Sequence, residues 1–313
     1  MTKEFFSSIS LRTAVLFLVF NRPDETRQVF ESIRKAKPPR LYVAADGPRE
    51  GRGDEAKYVE TVREIATAVD WPCEVKTLFR KKNLGCKKAV ATGITWFFEQ
   101  EEQGIILEDD VLPDESFFIF AEHMLEKYKE DKKIWKICGN NPKNPGLESS
   151  DYFLSKIPSC WGWASWRDRW SHYDVYMKYW NKKSELIIHD KVPRHVYHHY
   201  KDCFIKTKLG YVDTWDYQLT CLILINNGFV IKPYANLISN IGAIGLNFKK
   251  ATDWHFVPLG HFVINKNKNY KAIFDLDQDL WCYEKYFPPP RWRDLPKRIY
   301  SRLKNFLKGK YNL

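Results

Sequence analysis

Over residues 14–20 the chain reads AVLFLVF, apolar without interruption. A strand apolar on both faces is covered on both faces, which points to a parallel sheet flanked by helices. The run is far short of the roughly 20 apolar residues a membrane-spanning helix needs. No small-residue cleavage site follows it, so a secretory signal is not expected. A polar turn, NRPDE, comes next, and then Val29, Ile33 and Ala36 recur at helical spacing. The unit repeats. A strand at 41–45 is broken by Asp46-Gly47-Pro48, a helix follows in AKYVETVREIATAVD, and a third strand lies in CEVKTLF. A helix in CKKAVATGITWFFEQEEQ then leads to a fourth strand, GIILEDD. Strand and helix alternating over 110 residues predict an α/β fold with a mostly parallel, Rossmann-like central sheet and right-handed crossovers.

In open parallel sheets, ligands bind beyond the carboxyl ends of the strands. Four polar stretches stand there: Asn21-Arg22, Asp46-Gly47, Arg80 to Asn83, and Glu108 to Asp110. They are expected to converge on one crevice. The most demanding is the last, because three adjacent carboxylates repel one another and lose solvation, so something positive must compensate. Taken alone, such a triplet is also what a solvated, helix-capping loop looks like. At the end of an apolar strand its hard oxygens suit Mg2+ or Mn2+, which bind through one or two carboxylates plus substrate phosphates. The implied ligand is a metal-bridged diphosphate. Neither G-x-G-x-x-G nor G-x-x-x-x-G-K-[ST] occurs, so neither a dinucleotide site nor a P-loop is indicated.

The segment ILEDDVLPDESFFIFAEHMLEKYKEDKKIWKICGNN resembles the metal-binding segment of GT-A fold glycosyltransferases. The nearest likeness is to N-acetylglucosaminyltransferase I and to bacterial family 2-like sugar transferases. The resemblance implies that Asp110 holds the metal on a nucleotide-sugar diphosphate, with Glu108 and Asp109 contacting sugar, ribose or metal-bound water. FNRP after the first strand resembles a motif whose Arg approaches the diphosphate, here Arg22. AADG after the second resembles the segment whose Asp reads the base edge, here Asp46. The likeness spans roughly residues 11–245 and implies an inverting transfer from a nucleotide-sugar donor, in keeping with a UDP-sugar, to a saccharide or lipid-linked acceptor.

Transfer of this kind needs a general base for the acceptor hydroxyl. Asp213 and Asp216, in YVDTWDYQLT, stand three apart at the start of a helix expected over 214–227, where the helix N-terminus keeps a carboxylate charged. Routine helix capping explains the same residues. The family's W-D motif favours Asp216 as base, with Asp213 second, although the second acid that follows it in relatives is Tyr217 here. CWGWASWRDRW resembles an acceptor-side loop, in which Trp161, Trp163 and Trp166 offer either a sugar-stacking platform or core packing. His255 corresponds to a downstream His that reaches the metal in some relatives. His195, His198 and His199 have metal-binding spacing but no acid or Cys partner, and read as a surface helix.

No repeat or low-complexity linker divides the chain. The expected organisation is a transferase domain over 1–265, with a nucleotide-sugar half at 11–112 and an acceptor half at 113–265. An extension over 266–313 completes it. Of the net charge of +11, residues 291–310 hold eight basic residues against one acid, so the excess belongs to a tail rather than to the fold. That placement argues against a nucleic-acid partner. Beyond Pro296, Ile299, Leu303, Phe306 and Leu307 share one helical face among Lys and Arg, the pattern of a helix lying on an anionic membrane surface. Seven scattered cysteines with no C-x-x-C indicate reduced thiols. The expected location is cytoplasmic, peripheral at the inner membrane face. Two other readings remain: a carbohydrate- or nucleic-acid-binding protein without catalysis, and a sugar nucleotidyltransferase, whose usual Gly-rich basic first loop VFNRPDET lacks.

Overall fold

The computed structural model describes residues 11–242, 255–265 and 271–286. The first half runs β1 (Val15–Val19), α1 (Pro23–Ala36), β2 (Arg40–Ala45), α2 (Glu55–Thr67), β3 (Glu74–Phe79), α3 (Cys86–Phe98), β4 (Gln103–Glu108), β5 (Val111–Pro113) and α4 (Glu115–Tyr128). After it come β6 (Ile134–Cys138), β7 (Glu148–Ser149), β8 (Tyr152–Ser155), β9 (Trp163–Trp166), α5 (Arg167–Trp170), α6 (Lys182–His189) and α7 (Arg194–Lys208). The described chain closes with α8 (Asp216–Ile225), β10 (Phe229–Pro233), β11 (Ile238–Asn240), β12 (His261–Phe262) and α9 (Leu276–Tyr286).

Eight strands form the central sheet in the order β3-β2-β1-β4-β9-β6-β10-β8. The β1 register with β2 and β4 is regular, Val15 pairing with both Leu41 and Ile105. β9 is antiparallel to both of its neighbours, and β8 is antiparallel to β10, so the remaining six strands point one way. The expected mostly parallel α/β architecture is what the chain adopts. Val29, Ile33, Val62, Phe117 and Phe120 cover one face of the sheet from α1, α2 and α4. Ile94, Phe97, Leu219 and Leu222 cover the other from α3 and α8. A further cluster, including Val196, Tyr200, Phe204 and Cys282, binds α7, α8 and α9 together.

One segment departs from the expected reading. WASW, taken above as part of an acceptor-side loop, is β9, wedged between β4 and β6 in the middle of the sheet. Its tryptophans pack on opposite faces, Trp163 with the α3 and α8 cluster and Trp166 with the α1 and α4 cluster. Large aromatic rings stabilise so short a strand because each buries a large apolar area. Among the described residues, no helix is long and apolar enough to cross a membrane. α9, the described part of the expected extension, is fixed to β8 through Asp279, which accepts from Ser155 Oγ and the Lys156 amide at 2.5 and 2.8 Å. The basic segment 291–310 and its expected membrane contact lie outside the described residues.

Candidate functional site

A cavity of about 560 Å³ opens beyond the carboxyl ends of β1 and β4 and extends along β6 and β10. Arg22, Glu108, Asp110, Trp161 and Asp216 all line it. Four segments far apart in sequence meet there, but of the four strand-end stretches expected to converge only those of Arg22 and of Glu108 and Asp110 line the cavity; Asp46-Gly47 and Arg80 to Asn83 do not.

At the acidic end the triplet divides its labour. Asp109 is buried and points back into the fold, accepting from the Phe20 amide at 3.0 Å and from Arg22 Nη1 at 2.8 Å. The same Arg22 nitrogen reaches Asp110 Oδ2 at 3.0 Å. Burial opposes the Arg22 charge, but Asp109 and Asp110 outweigh it and raise its pKa. Burial lifts the Asp109 carboxyl to about 6, against the opposing pull of Arg22. Glu108, the last residue of β4, is pushed well above the usual carboxylate range, first by burial and then by Asp110, Asp109 and Asp216. A single guanidinium therefore holds two of the three carboxylates, while Glu108 keeps its face to the cavity. The Ile241 amide donates to the Asp110 carbonyl at 2.8 Å, bringing the loop after β11 against the cluster. Only glycine fits next: a Cβ on Gly242 would stand 2.4 Å from Asp110 Oδ2.

Two expected site residues serve as braces. Asp46 is not among the cavity-lining residues. Its carboxylate accepts from the Gly47, Leu84 and Gly85 amides, tying the end of β2 to the start of α3. Burial raises its pKa despite those bonds. Asp213 lies before α8 rather than in it, and accepts from the Cys86 and Lys87 amides at 2.9 and 3.1 Å. It thereby caps α3, where acceptors satisfy orphan amides. Asp216 differs from both. It is the first residue of α8, accepts from the Thr214 hydroxyl and faces the cavity. Gln218 Nε2 to the Thr214 carbonyl at 2.7 Å and Tyr173 Oη to the Trp215 carbonyl at 3.0 Å fix that turn.

The three tryptophans do not form one platform. Trp161 alone of them lines the cavity. Trp163 stacks on Trp215 with ring centroids 5.6 Å apart, and Trp166 donates Nε1 to the Leu125 carbonyl. His255 is buried against Trp161, centroids 6.0 Å apart, and is not among the cavity-lining residues. His199 of α7 lines the cavity, whereas His195 and His198 do not.

Sequence reasoning missed two lysines. Lys136 of β6 and Lys232 of β10 are buried and line the same cavity. Lys136 Nζ sits 4.0 Å from the Trp163 ring centroid and 5.6 Å from that of Trp215. Burial lowers its pKa. A signal was present in IWKIC and FVIKP, where a single lysine interrupts an otherwise apolar strand.

Among the described residues, no group of three or more His, Cys, Asp or Glu is arranged to hold a metal alone. Glu108 and Asp110 nevertheless fit Mg2+ or Mn2+. They are cavity-facing hard-oxygen donors, the pull of Arg22 on Glu108 is outweighed by burial and the neighbouring carboxylates, and such ions complete their shells with substrate phosphate and water.

No protein-family model matches the chain, and no curated protein is similar to it in sequence. Solved structures show loose likenesses. UDP-glucose pyrophosphorylase complexed with UDP-glucose is 9% identical, with 71% of this chain and 89% of that one covered at a TM-score of 0.36. HddC from Yersinia pseudotuberculosis is 8% identical, with 50% and 77% covered at 0.31. The 4-diphosphocytidyl-2C-methyl-D-erythritol synthase from Anaerococcus prevotii is 8% identical, with 50% and 72% covered at 0.30. At TM-scores this low, these likenesses carry no argument about activity.

Proposed function

We propose that this chain is a metal-dependent transferase that acts on a nucleotide-diphosphate sugar, and that it moves the sugar to a hydroxyl acceptor. The observation that carries the reading is the meeting of Arg22, Glu108 and Asp110 with Asp216 around one cavity. The first three suit a diphosphate and its cation, and the last suits an acceptor proton. When bound through Glu108 and Asp110, Mg2+ or Mn2+ would neutralise charge on the departing diphosphate. Arg22 holds Asp109 and Asp110 in place and lends positive charge to the same end. Asp216, at the first turn of α8, takes the acceptor proton as the hydroxyl oxygen bonds to the anomeric carbon. The bond from that carbon to the diphosphate breaks, its electron pair leaves with the nucleoside diphosphate, and the configuration inverts. Trp161 offers the acceptor ring a flat apolar face.

Nucleotidyl transfer is the second reading. It uses the same donor end, where Arg22, Glu108 and Asp110 would meet the phosphates of a nucleoside triphosphate and its cation. The two reactions release different products. With a panel of nucleotide sugars and Mn2+, glycosyl transfer yields nucleoside diphosphate, chelator stops it, and Asp110→Asn abolishes it. Pyrophosphate released from a nucleoside triphosphate and a sugar 1-phosphate, with no diphosphate from any nucleotide sugar, would instead establish nucleotidyl transfer.

A further inference from the structure

The same cavity is lined from β6 and β10 by two lysines. We propose that this side of it is a subsite for an anionic group, a phosphate or a carboxylate, carried by the saccharide acceptor, and that Lys136 and Lys232 are its ligands. Only the word acceptor rests on the function proposed above; the anion subsite stands on its own geometry.

Both lysines are buried, 2% and 4% exposed, and both line the cavity. Their placement follows from the sheet. Lys136 pairs with Val230 in the parallel β6–β10 ladder, so Lys232, two residues further on, stands on the same face as a diagonal neighbour. Neither ammonium has a hydrogen bond or an ion pair among the described residues. Lys136 is held over the faces of Trp163 and Trp215, which favours a cation but does not neutralise it. Asp279 is the acid that acts on Lys232 from α9, yet its carboxylate is already bound by Ser155 Oγ and the Lys156 amide. Buried charges in proteins are normally paired. Asp216 and Glu108 act on Lys136 through space without bonding it. Two buried ammonium groups on one face, open to one cavity and bonded directly to no protein anion among the described residues, are therefore arranged for an anion that arrives with a ligand. The acidic end is its complement, with carboxylates arranged for a cation.

The test uses the full chain without metal or nucleotide, so that it is independent of the transfer reaction. Tryptophan fluorescence is the readout, because the indoles of Trp163 and Trp215 lie under Lys136. Glucose 6-phosphate, glucuronate and glucose are titrated. At least one of the two anionic sugars is expected to bind about tenfold or more tightly than glucose, and the tighter of the two identifies phosphate or carboxylate. Lys136→Met and Lys232→Met should each lose about tenfold or more in that affinity, while Lys136→Arg, which keeps the charge, retains most of it. Circular dichroism of each variant confirms the fold. Three results would overturn the proposal: equal binding of glucose and both anions, full anion affinity in the double Met variant, or one-for-one displacement of the anionic sugar by UDP with Mn2+, which would assign the lysines to the nucleotide.

Discussion

At the β1–β4 end of the cavity, Glu108, Asp109 and Asp110 are answered by one guanidinium, Arg22, which bonds two of them. At the β6–β10 side, Lys136 lies over the Trp163 and Trp215 faces, and both it and Lys232 face the cavity without a direct ion pair among the described residues. Each end holds an excess of one sign that the fold does not cancel. Desolvated like charges lower stability unless a partner arrives. On the proposals above, the contrast matches two ligands, a cation-bridged diphosphate beside the carboxylates and an anionic acceptor beside the lysines.

The contrast is most exposed at its midpoint, Asp216. Asp216→Asn is expected to lower kcat by ~10²- to 10⁴-fold while leaving UDP binding with Mn2+ intact, measured by steady-state kinetics and calorimetry. Turnover that survives the change would move the base elsewhere. Removing the floor beneath Lys136 comes next. Trp163→Ala should cost ~3–5 kcal/mol in urea unfolding, whereas Trp161→Ala, at the half-buried rim, should weaken acceptor binding with a stability loss within about 1 kcal/mol. Equal losses would erase the distinction between support and platform.

Arg22→Met probes the acidic end. It strands buried Asp109 without its charged partner and should cost about 1–3 kcal/mol at pH 7. The Asp109 carboxyl, at about 6 rather than 3.8, is most compatible with the fold below its ordinary value, and that benefit is lost as pH rises through 6. The variant's deficit should accordingly shrink as pH falls from 7 to 5; a deficit independent of pH would remove Asp109 as its cause. The smallest effect belongs to Lys136. Its pKa is lowered from 10.5 by burial, so its neutral form suits the fold, and stability present above 10.5 is lost as pH falls through the depressed value. Relative to Lys136→Met, the wild type should gain thermal stability as pH rises from 7 to 10.5, and a saturating anionic sugar should flatten that gain.

The first half of the sheet was readable because each strand and its helix form a local unit. VLFLV and RLYVAA declare burial on both faces, and the turns after them declare where ligands meet. The second half was not. β9 has four residues and owes its place between β4 and β6 to pairing across the chain, a partnership that no periodicity announces. Likewise Asp46, Asp213 and Asp216 all read as turn acids. Only their neighbours separate two that bind backbone amides from the one that faces the cavity.

By itself the sequence determined the layered α/β plan and the acidic end of β4, since both follow from residue order within short segments. Tertiary structure alone decided which carboxylates stay free, which tryptophan meets the cavity, and that two lysines from separate strands share a face. Those facts depend on register and on which side chain reaches a buried donor first, and a long-range contact leaves no periodic mark on the chain that makes it.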